Sequence, residues 1–299
     1  MPILTLHLLA LDNTTDPQLF LQQLQQTPER KVILASRPRH IVIHPTILDN
    51  DPLATQPWDL LLLLQTSAPS NQDPLPPPLR RSIKHEYAIT TGIPSKLLST
   101  YAARDTQLKQ KAPSIPLTGS LDHLLREDSR DTSQNLEVSP GLLGFMDELS
   151  RTHRGPVTML NLLHFHHPDG KAGYYQYGQA FVPVAGKRGG SAKLVGNVVS
   201  PSPGLQGAAR GSRVRPAEEW WNEISIVHYP SIRHFCDMLA GEDYQAINEK
   251  YRLSVSVTPR ILCMILWAPL TGRAVQALRD TFLLCTTEFD IQESGSSKL

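Results

Sequence analysis

Residues 155–165 have the sequence GPVTMLNLLHF, an apolar run that contains one amide side chain, Asn161. Gly and Pro precede the run and the turn-forming HHPDG follows Phe165, so the pattern predicts a buried β-strand that ends at that residue. A buried amide needs hydrogen-bond partners, which could be a substrate carbonyl or enolate, or a neighbouring strand or loop. Asn161 is therefore the first candidate for a functional residue.

Three histidines, at positions 164, 166 and 167, lie at the end of this strand. Side chains two residues apart share a strand face, so His164 and His166 could hold a metal with His228 as a third ligand. Because Pro-Asp-Gly favours a turn, we interpret the cluster as the strand exit and expect no metal. His164 and His228 stay open as pocket bases or as core residues, since an ordinary histidine pKa of about 6.5 suits proton transfer.

The pattern around this strand predicts the element order β-α-β-β-α-β twice, which is the order of a ferredoxin-like unit. The later half has predicted strands at 155–165, 191–200, 218–230 and 258–269, and helices at 174–188, 231–240 and 242–251. The earlier half has strands at 3–11, 31–36, 40–44, 58–67 and 84–93, with a break at Pro38 and a helix that begins at Pro17. We expect an α+β protein whose two sheets close one pseudo-dimeric barrel.

Composition divides the chain into four predicted parts. These are a ferredoxin-like half (1–104), a linker (105–139) rich in Ser, Asp, Gln, Pro and Thr, a second half (140–290) and a flexible tail (291–299). Such polar stretches with few aromatic residues are typical of linkers.

Four motifs in the second half carry a resemblance to a known family. They are P-V-x-M-L-N-L from Pro156, Tyr-x-x-Tyr-Gly from Tyr174, HYPS from His228, and E-D-Y-Q from Glu242 with Tyr251-Arg252. Over Pro156 to Leu266 the chain resembles an EthD-like branch, in a long fungal form, of the dimeric α/β-barrel superfamily. The resemblance implies a ferredoxin-like fold that pairs into dimers, so the first half could replace a partner subunit. It leaves the function open, because related barrels include cofactor-free monooxygenases, isomerases and non-catalytic proteins.

Two function classes follow for this barrel. The first is a cofactor-independent monooxygenase or isomerase that acts on a small apolar or polyketide-like molecule, with Asn161 stabilising oxyanion charge and His228 or His164 moving a proton. Substrate-binding candidates, each of which could also be a packing residue, are Tyr174, Tyr177, Trp221, Tyr244 and Arg252. The second class is a non-catalytic ligand-binding or accessory protein. We expect no cofactor, and either a monomeric pseudo-dimer or a homodimer.

The charge balance and the last three residues indicate which partners and which cellular compartment to expect. With 29 basic and 28 acidic residues the chain lacks the basic surplus of nucleic-acid binders. No apolar run reaches the roughly 20 residues of a membrane span, and the three separated cysteines favour reduced packing residues. Ser297-Lys298-Leu299 is the tripeptide that the peroxisomal import receptor reads, so we expect the peroxisomal matrix, with the cytoplasm as the alternative.

Overall fold

The computed structural model describes residues 1–27, 29–66, 74–126, 138–199, 219–251 and 277–290. Its strands are β1 (Ile3–Leu11), β2 (Arg30–Ile43), β3 (Leu60–Thr66), β4 (Ile83–Gly92), β5 (Val157–Phe165), β6 (Ser191–Val198), β7 (Glu223–Tyr229) and β8 (Leu278–Glu288). Its helices are α1 (Pro17–Gln25), α2 (Asn50–Ala54), α3 (Pro77–Arg80), α4 (Ser95–Lys111), α5 (Ser120–Arg126), α6 (Pro140–Thr152), α7 (Gly170–Lys187), α8 (Ile232–Leu239) and α9 (Glu242–Tyr251). The protein is therefore of the α+β class.

The strands form one closed barrel in the order β1-β3-β2-β8-β5-β7-β6-β4, and each neighbouring pair is antiparallel. Strands β1 to β4 (the first half) have the internal order β4-β1-β3-β2, and β5 to β8 (the second half) have the matching order β8-β5-β7-β6. Two seams join the halves. The β2–β8 seam runs from Ser36 opposite Glu288 to Ile43 opposite Leu283, whereas the β4–β6 seam has only two opposed pairs.

Alternation along the strands separates a barrel interior from an outer face. One buried cluster takes side chains from all eight strands, so it fills the interior; it includes Leu6, Leu63, Leu160, Ile226 and Phe282. The outer face of the first half packs against α1 and α3. The outer face of the second half packs against α6, α7, α8 and α9. The outer faces of both halves are thus covered by helices, and the barrel interior is a packed core.

Other elements cover the two ends of the barrel. At one end the α4 residues Leu97, Leu98 and Tyr101 join the interior cluster. At the opposite end the backbone N–H groups of Ile47 and Leu48 both donate to the buried Asp280 carboxylate, at 2.8 and 2.7 Å. A carboxylate that accepts several such bonds is well compensated for its burial.

Local signals account for several of these elements. Asp16 accepts hydrogen bonds from the N–H groups of Gln18 and Leu19 at the start of α1, and Ser139 and Ser231 cap α6 and α8 in the same way. The predicted exit of β5 is confirmed, because the strand ends at Phe165 and α7 begins at Gly170. Helix α7 therefore starts four residues before the predicted Tyr174.

One strand prediction is corrected by the fold, and one predicted boundary lies within a helix. Strand β2 is continuous through Pro38, because its register with β8 shifts there and the missing N–H breaks no regular ladder. The predicted boundary between residues 104 and 105 falls inside α4, which buries Asp105 and continues to Lys111. Polar composition indicated that a linker begins at Asp105. In the fold Asp105 is instead a buried residue of α4, and an ion pair with Lys193 of β6 offsets the cost of burying its charge.

The eighth strand, β8, lies at Leu278–Glu288 and was not identified from the sequence. The strand predicted at 258–269 lies outside the described residues, as do Arg252 and the tripeptide Ser297, Lys298 and Leu299. Their proposed roles stay predictions. No described helix is long and apolar enough to cross a membrane. Cys236 and Cys285 are buried free thiols, and burial raises the pKa of Cys236 to about 12.

Candidate functional site

A cavity of about 410 Å³ lies between the outer face of the second half and its covering helices. This volume is within the usual range for small-molecule sites. The strands contribute Met159, Asn161, Glu223, Ser225, Val227 and Leu283, and helices α7 to α9 contribute residues that include Tyr174, Tyr177, Gly178, Phe181, Met238 and Tyr244. The lining is therefore apolar and aromatic with a small polar group on the sheet side.

Helix α7 forms the aromatic wall of the cavity. The ring centroids of Tyr174 and Tyr177 are 5.3 Å apart, and those of Tyr177 and Phe181 are 5.7 Å apart, in keeping with one helical turn between neighbours. Phe181 continues the row to Tyr244 of α9 at 6.4 Å. Gly178 lies on the same lining, and a Cβ atom there would meet nothing within 4 Å. The absent side chain leaves part of the cavity open.

Asn161 is the polar residue of β5 that faces this cavity. It lies opposite Ser225 on β7, and its Nδ2 donates to the Ser225 carbonyl oxygen at 3.4 Å. This bond is long for an amide donor, so it engages the side chain weakly. The sequence left open whether the Asn161 amide bonds to a neighbouring strand or to a ligand. The strand bond is present, but Nδ2 carries a second hydrogen that can point into the cavity, so a ligand partner stays open.

Glu223 is a cavity residue that the sequence analysis missed. Burial raises the pKa of its carboxyl above the ordinary value, and the Lys171 ammonium opposes that rise from 3.9 Å away. Lys171 Nζ also donates to Asn197 Oδ1 at 2.6 Å. The alternation in EISIVHY contained the signal, because Ile224 and Ile226 face the interior and leave Glu223 and Ser225 on the opposite face.

The two candidate histidines do not reach the cavity. His164 and His228 point into the barrel interior, where both are almost completely buried, whereas Asn161 is on the outer face. The predicted arrangement of Asn161 with either histidine around one pocket is therefore wrong. The reason is strand parity, since residues separated by an odd number of positions face opposite sides of a strand, as residues 161 and 164 do.

Each histidine has its own interior environment. His164 Nδ1 donates to the Trp220 carbonyl oxygen at 2.8 Å. His228 Nδ1 is buried without a hydrogen bond among the described residues. Burial, assisted by the nearby Lys193 ammonium, lowers the pKa of His228 to about 4. Above that pH the imidazole is neutral, which is the form that an apolar core tolerates.

A buried ionic network lies beside His228 at the end covered by α4. Lys193 Nζ is 2.5 Å from Asp105 Oδ1 and also contacts Glu288 Oε1. Lys109 Nζ is 2.6 Å from the second oxygen of Asp105 and 2.7 Å from that of Glu288. Burial alone would raise the pKa of Glu288, but the two ammonium groups hold it well below its ordinary value. The network joins α4 of the first half to β6 and β8 of the second.

Trp221 is not a cavity residue, contrary to the sequence prediction. The sequence predicted a strand over 218–230, in which Trp220 and Trp221 would lie on opposite faces. Strand β7 begins only at Glu223, so both tryptophans precede it. Trp221 is buried in the barrel interior, and its Nε1 donates to Tyr87 Oη at 2.9 Å. Tyr174, Tyr177 and Tyr244 do line the cavity, as a binding role requires.

The described residues contain no group of three His, Cys, Asp or Glu side chains that could hold a metal ion. In this part of the chain His164, His166 and His167 therefore do not form such a group with one another or with neighbouring residues.

Comparisons with known proteins add little to this geometry. No family model matches the chain, and no curated protein matches it. A solved structure of a protein of unknown function from Rhodopseudomonas palustris is similar at 22% identity, over 39% of this chain and 85% of that one, with a TM-score of 0.28. The methylated form of that protein gives 21% identity, 40% and 84% coverage, and the same TM-score. A TM-score this low supports no conclusion about fold or function.

Proposed function

We propose that the second half binds a small, largely apolar molecule in the cavity beneath α7. The observation that supports this is the 410 Å³ space in which Asn161, Ser225 and Glu223 are the polar sheet residues, while the covering helices contribute mostly apolar and aromatic side chains together with Lys171 and Gln179. Such sites bury most of a ligand in apolar contacts and orient it with a few polar groups. A polyketide-like or other polycyclic molecule suits the aromatic wall of α7.

The reaction class that we propose is cofactor-independent proton transfer, as part of an isomerisation or monooxygenation. Asn161 would donate from Nδ2 to oxygen charge that develops on the ligand. A non-catalytic ligand-binding role is the second candidate. It is favoured by one observation, namely that neither His164 nor His228 reaches the cavity.

We also propose that the two halves are ferredoxin-like units and that the chain is an intramolecular pseudo-dimer of the EthD-like, dimeric α/β-barrel kind. The shared strand order of the halves supports this proposal. Because the barrel closes within one chain, we expect a 33.3 kDa monomer. Light scattering coupled to size-exclusion chromatography checks this, and a 1:1 homodimer at micromolar concentration would count against a self-sufficient pseudo-dimer.

A pair of glycine variants tests the cavity. Gly178 lines it, whereas Gly186 lies on the same helix outside the lining, and an added Cβ meets nothing within 4 Å at either position. In Gly178→Phe the ring should fill the cavity and weaken binding of the probe 2-methoxynaphthalene by at least about 10-fold, or roughly 1.4 kcal/mol. Gly186→Phe should bind it as the wild type does.

Isothermal titration with the two variants gives the readout. Equal affinity of all three proteins, or no binding by the wild type, would contradict the proposed function. Circular dichroism confirms that both variants keep the helical content of the wild type.

A further inference from the structure

The Glu223 carboxylate is the one carboxylate among the described lining residues of the cavity. Its side chain is 14% exposed, and it accepts no hydrogen bond among the residues that the structure describes. In the part of the chain that the structure describes, its ion-pair partner is Lys171, whose Nζ is 3.9 Å away and also donates to Asn197. A carboxylate in an apolar lining normally recovers its lost hydration through hydrogen bonds, so this one lacks a partner that a ligand can provide.

Glu223 and Asn161 are placed to act on the same ligand. Ser225 lies directly opposite Asn161, and Glu223 is two residues from Ser225 on the same face of β7. Diagonal neighbours of this kind lie about 7–8 Å apart across an antiparallel pair. That separation leaves room for a ligand atom between the amide and the carboxylate.

We propose that Glu223 is the proton acceptor of the cavity and that its substrate is an apolar ketone with an acidic C–H bond next to the carbonyl. The proposal rests on the function proposed above and deepens it. The carboxylate takes the proton, the C–H electron pair becomes the C=C bond of an enolate, and the carbonyl oxygen receives the displaced electron pair. Asn161 Nδ2 donates to that oxygen. Return of the proton to the same or a neighbouring carbon completes an exchange or an isomerisation without an oxidant or a cofactor.

A ketone fits this lining better than an acid or an amine does. The donor on the sheet side is a neutral amide, which suits an oxygen that gains charge only during the reaction. Among the described residues that line the cavity, Lys171 is the one cation, and its side chain is 59% exposed and lies at the mouth. The α7 rings provide an apolar surface and no charge. An apolar ring system that packs against them would place its ketone group beside Asn161 and Glu223.

The environment also makes Glu223 a stronger base than an exposed glutamate. Its carboxyl pKa is raised by burial, and a base is more effective as its pKa approaches the working pH. The described lining residues from β5, β6 and β8 are not titratable. The titratable groups that line the cavity with Glu223 are Tyr229 on β7, Tyr244 on α9, and Lys171, Tyr174, Tyr175 and Tyr177 on α7. Lys171 is the positioning residue, because its charge limits how far the pKa of Glu223 rises.

Solvent exchange of the probe 2-tetralone in D2O, followed by proton NMR, tests the proposal. Wild-type protein should speed deuterium incorporation next to the carbonyl above the buffer rate. In Glu223→Gln the acceleration should fall by about 10²-fold or more, the usual contribution of a general base. Asn161→Ala should lose about 10²-fold, as removal of one oxyanion donor does. The matched control Glu219→Gln changes an exposed glutamate outside the lining and should exchange as the wild type does.

The pH profile separates a base from a merely structural carboxylate. Exchange should fall as the pH drops through the pKa of Glu223, because protonation removes the acceptor. In Lys171→Met that fall should begin at a higher pH, since the ammonium no longer lowers the pKa.

Each outcome decides the proposal. Exchange that persists in Glu223→Gln, or wild-type exchange no faster than buffer, overturns it. If 2-methoxynaphthalene still binds in those cases, the proposed ligand cavity survives while the role of Glu223 fails. If Glu223→Gln also loses 2-methoxynaphthalene, a structural role for the carboxylate replaces the catalytic one.

Discussion

The two halves of the barrel share a strand order but treat the middle of their first strands differently. On the outer face of β1 the polar residue in the middle of the strand is His7, and its Nδ1 pairs with Glu86 Oε1 at 2.7 Å. The next strand in space, β3, presents Leu60, Leu62 and Leu64 to α1 and α3. On the outer face of β5 the polar residue is Asn161, and β7 beside it presents Glu223, Ser225 and Val227 to a cavity.

The difference shows how one strand order can give one half whose outer face is packed with leucines and another half whose outer face borders a cavity. Leucines on the third strand fill the space beneath the helices, and a carboxylate of the chain itself engages the polar residue. Glutamate and serine in the equivalent places, with a glycine on the covering helix, leave space and unused polar groups. The presence of the cavity and of its polar groups therefore depends on a few side chains of the third strand in each half and not on the strand order.

The largest effect we expect comes from the network that holds the two halves together. Lys193→Met leaves the buried carboxylates of Asp105 and Glu288 with Lys109 alone, so it should lower the free energy of unfolding by about 3–5 kcal/mol. Urea unfolding measures this. The exposed Lys187, which pairs with Asp243 at 3.2 Å, is the control, and Lys187→Met should cost less than about 1 kcal/mol. Equal losses would mean that the network does not join the halves.

A truncation on each outer face tests the contrast between the halves directly. Leu62→Ala removes a completely buried side chain from the packed face and should cost about 2–5 kcal/mol. Ser225→Ala changes the equivalent strand beside an existing cavity and should cost less than about 1 kcal/mol. Denaturant midpoints report both values. If Leu62→Ala were as mild as Ser225→Ala, the first half would not be the tightly packed one.

The pH dependence of stability tests whether His228 is buried in the barrel interior that the two halves share. The unfolded chain protonates His228 near pH 6.5, but the folded protein does so only near pH 4. The unfolded state therefore binds more protons in that window, and stability falls as the pH drops. Between pH 7 and pH 5 the wild type should lose about 2 kcal/mol that His228→Gln does not lose. Parallel pH profiles would place His228 in contact with solvent.

The smallest effect concerns the helix that covers the cavity. A glycine inside a helix costs about 0.5–1 kcal/mol relative to alanine. Because a Cβ at Gly178 meets nothing, Gly178→Ala should raise the free energy of unfolding by that amount, as should Gly186→Ala on the same helix. Thermal unfolding measures the gain. A loss in Gly178→Ala alone would show that the cavity side of α7 is already filled.

Much of the fold could be predicted from the sequence, because local signals specified it. Alternation and turn residues predicted β1, β4 and β5, and Pro17 and Ser231 marked the starts of two helices. Contacts between residues that are far apart in the sequence could not be predicted from local patterns. Residues such as Lys193 and Asp105 become core residues only because they meet across the barrel.

The candidate site was predicted only in part, for a geometric reason. Asn161 and the tyrosines of α7 were identified because they stand out in apolar or helical patterns. His228 was selected on chemical grounds and Glu223 was missed, although the parity of β7 places the glutamate on the cavity side. The face of β5 and β7 that the helices cover could not be derived from alternation alone.

The methyl groups of the methionines offer the most direct test of the central claim, which is that ligand binds beneath α7 in the second half. Met159 and Met238 line the cavity, Met146 is buried nearby outside the lining, and Met1 lies in the first half. With 13C-labelled methionine, titration of 2-methoxynaphthalene should shift the Met159 and Met238 signals and leave those of Met146 and Met1 in place. Shifts at Met1 or Met146 without shifts at Met159 and Met238 would contradict the account.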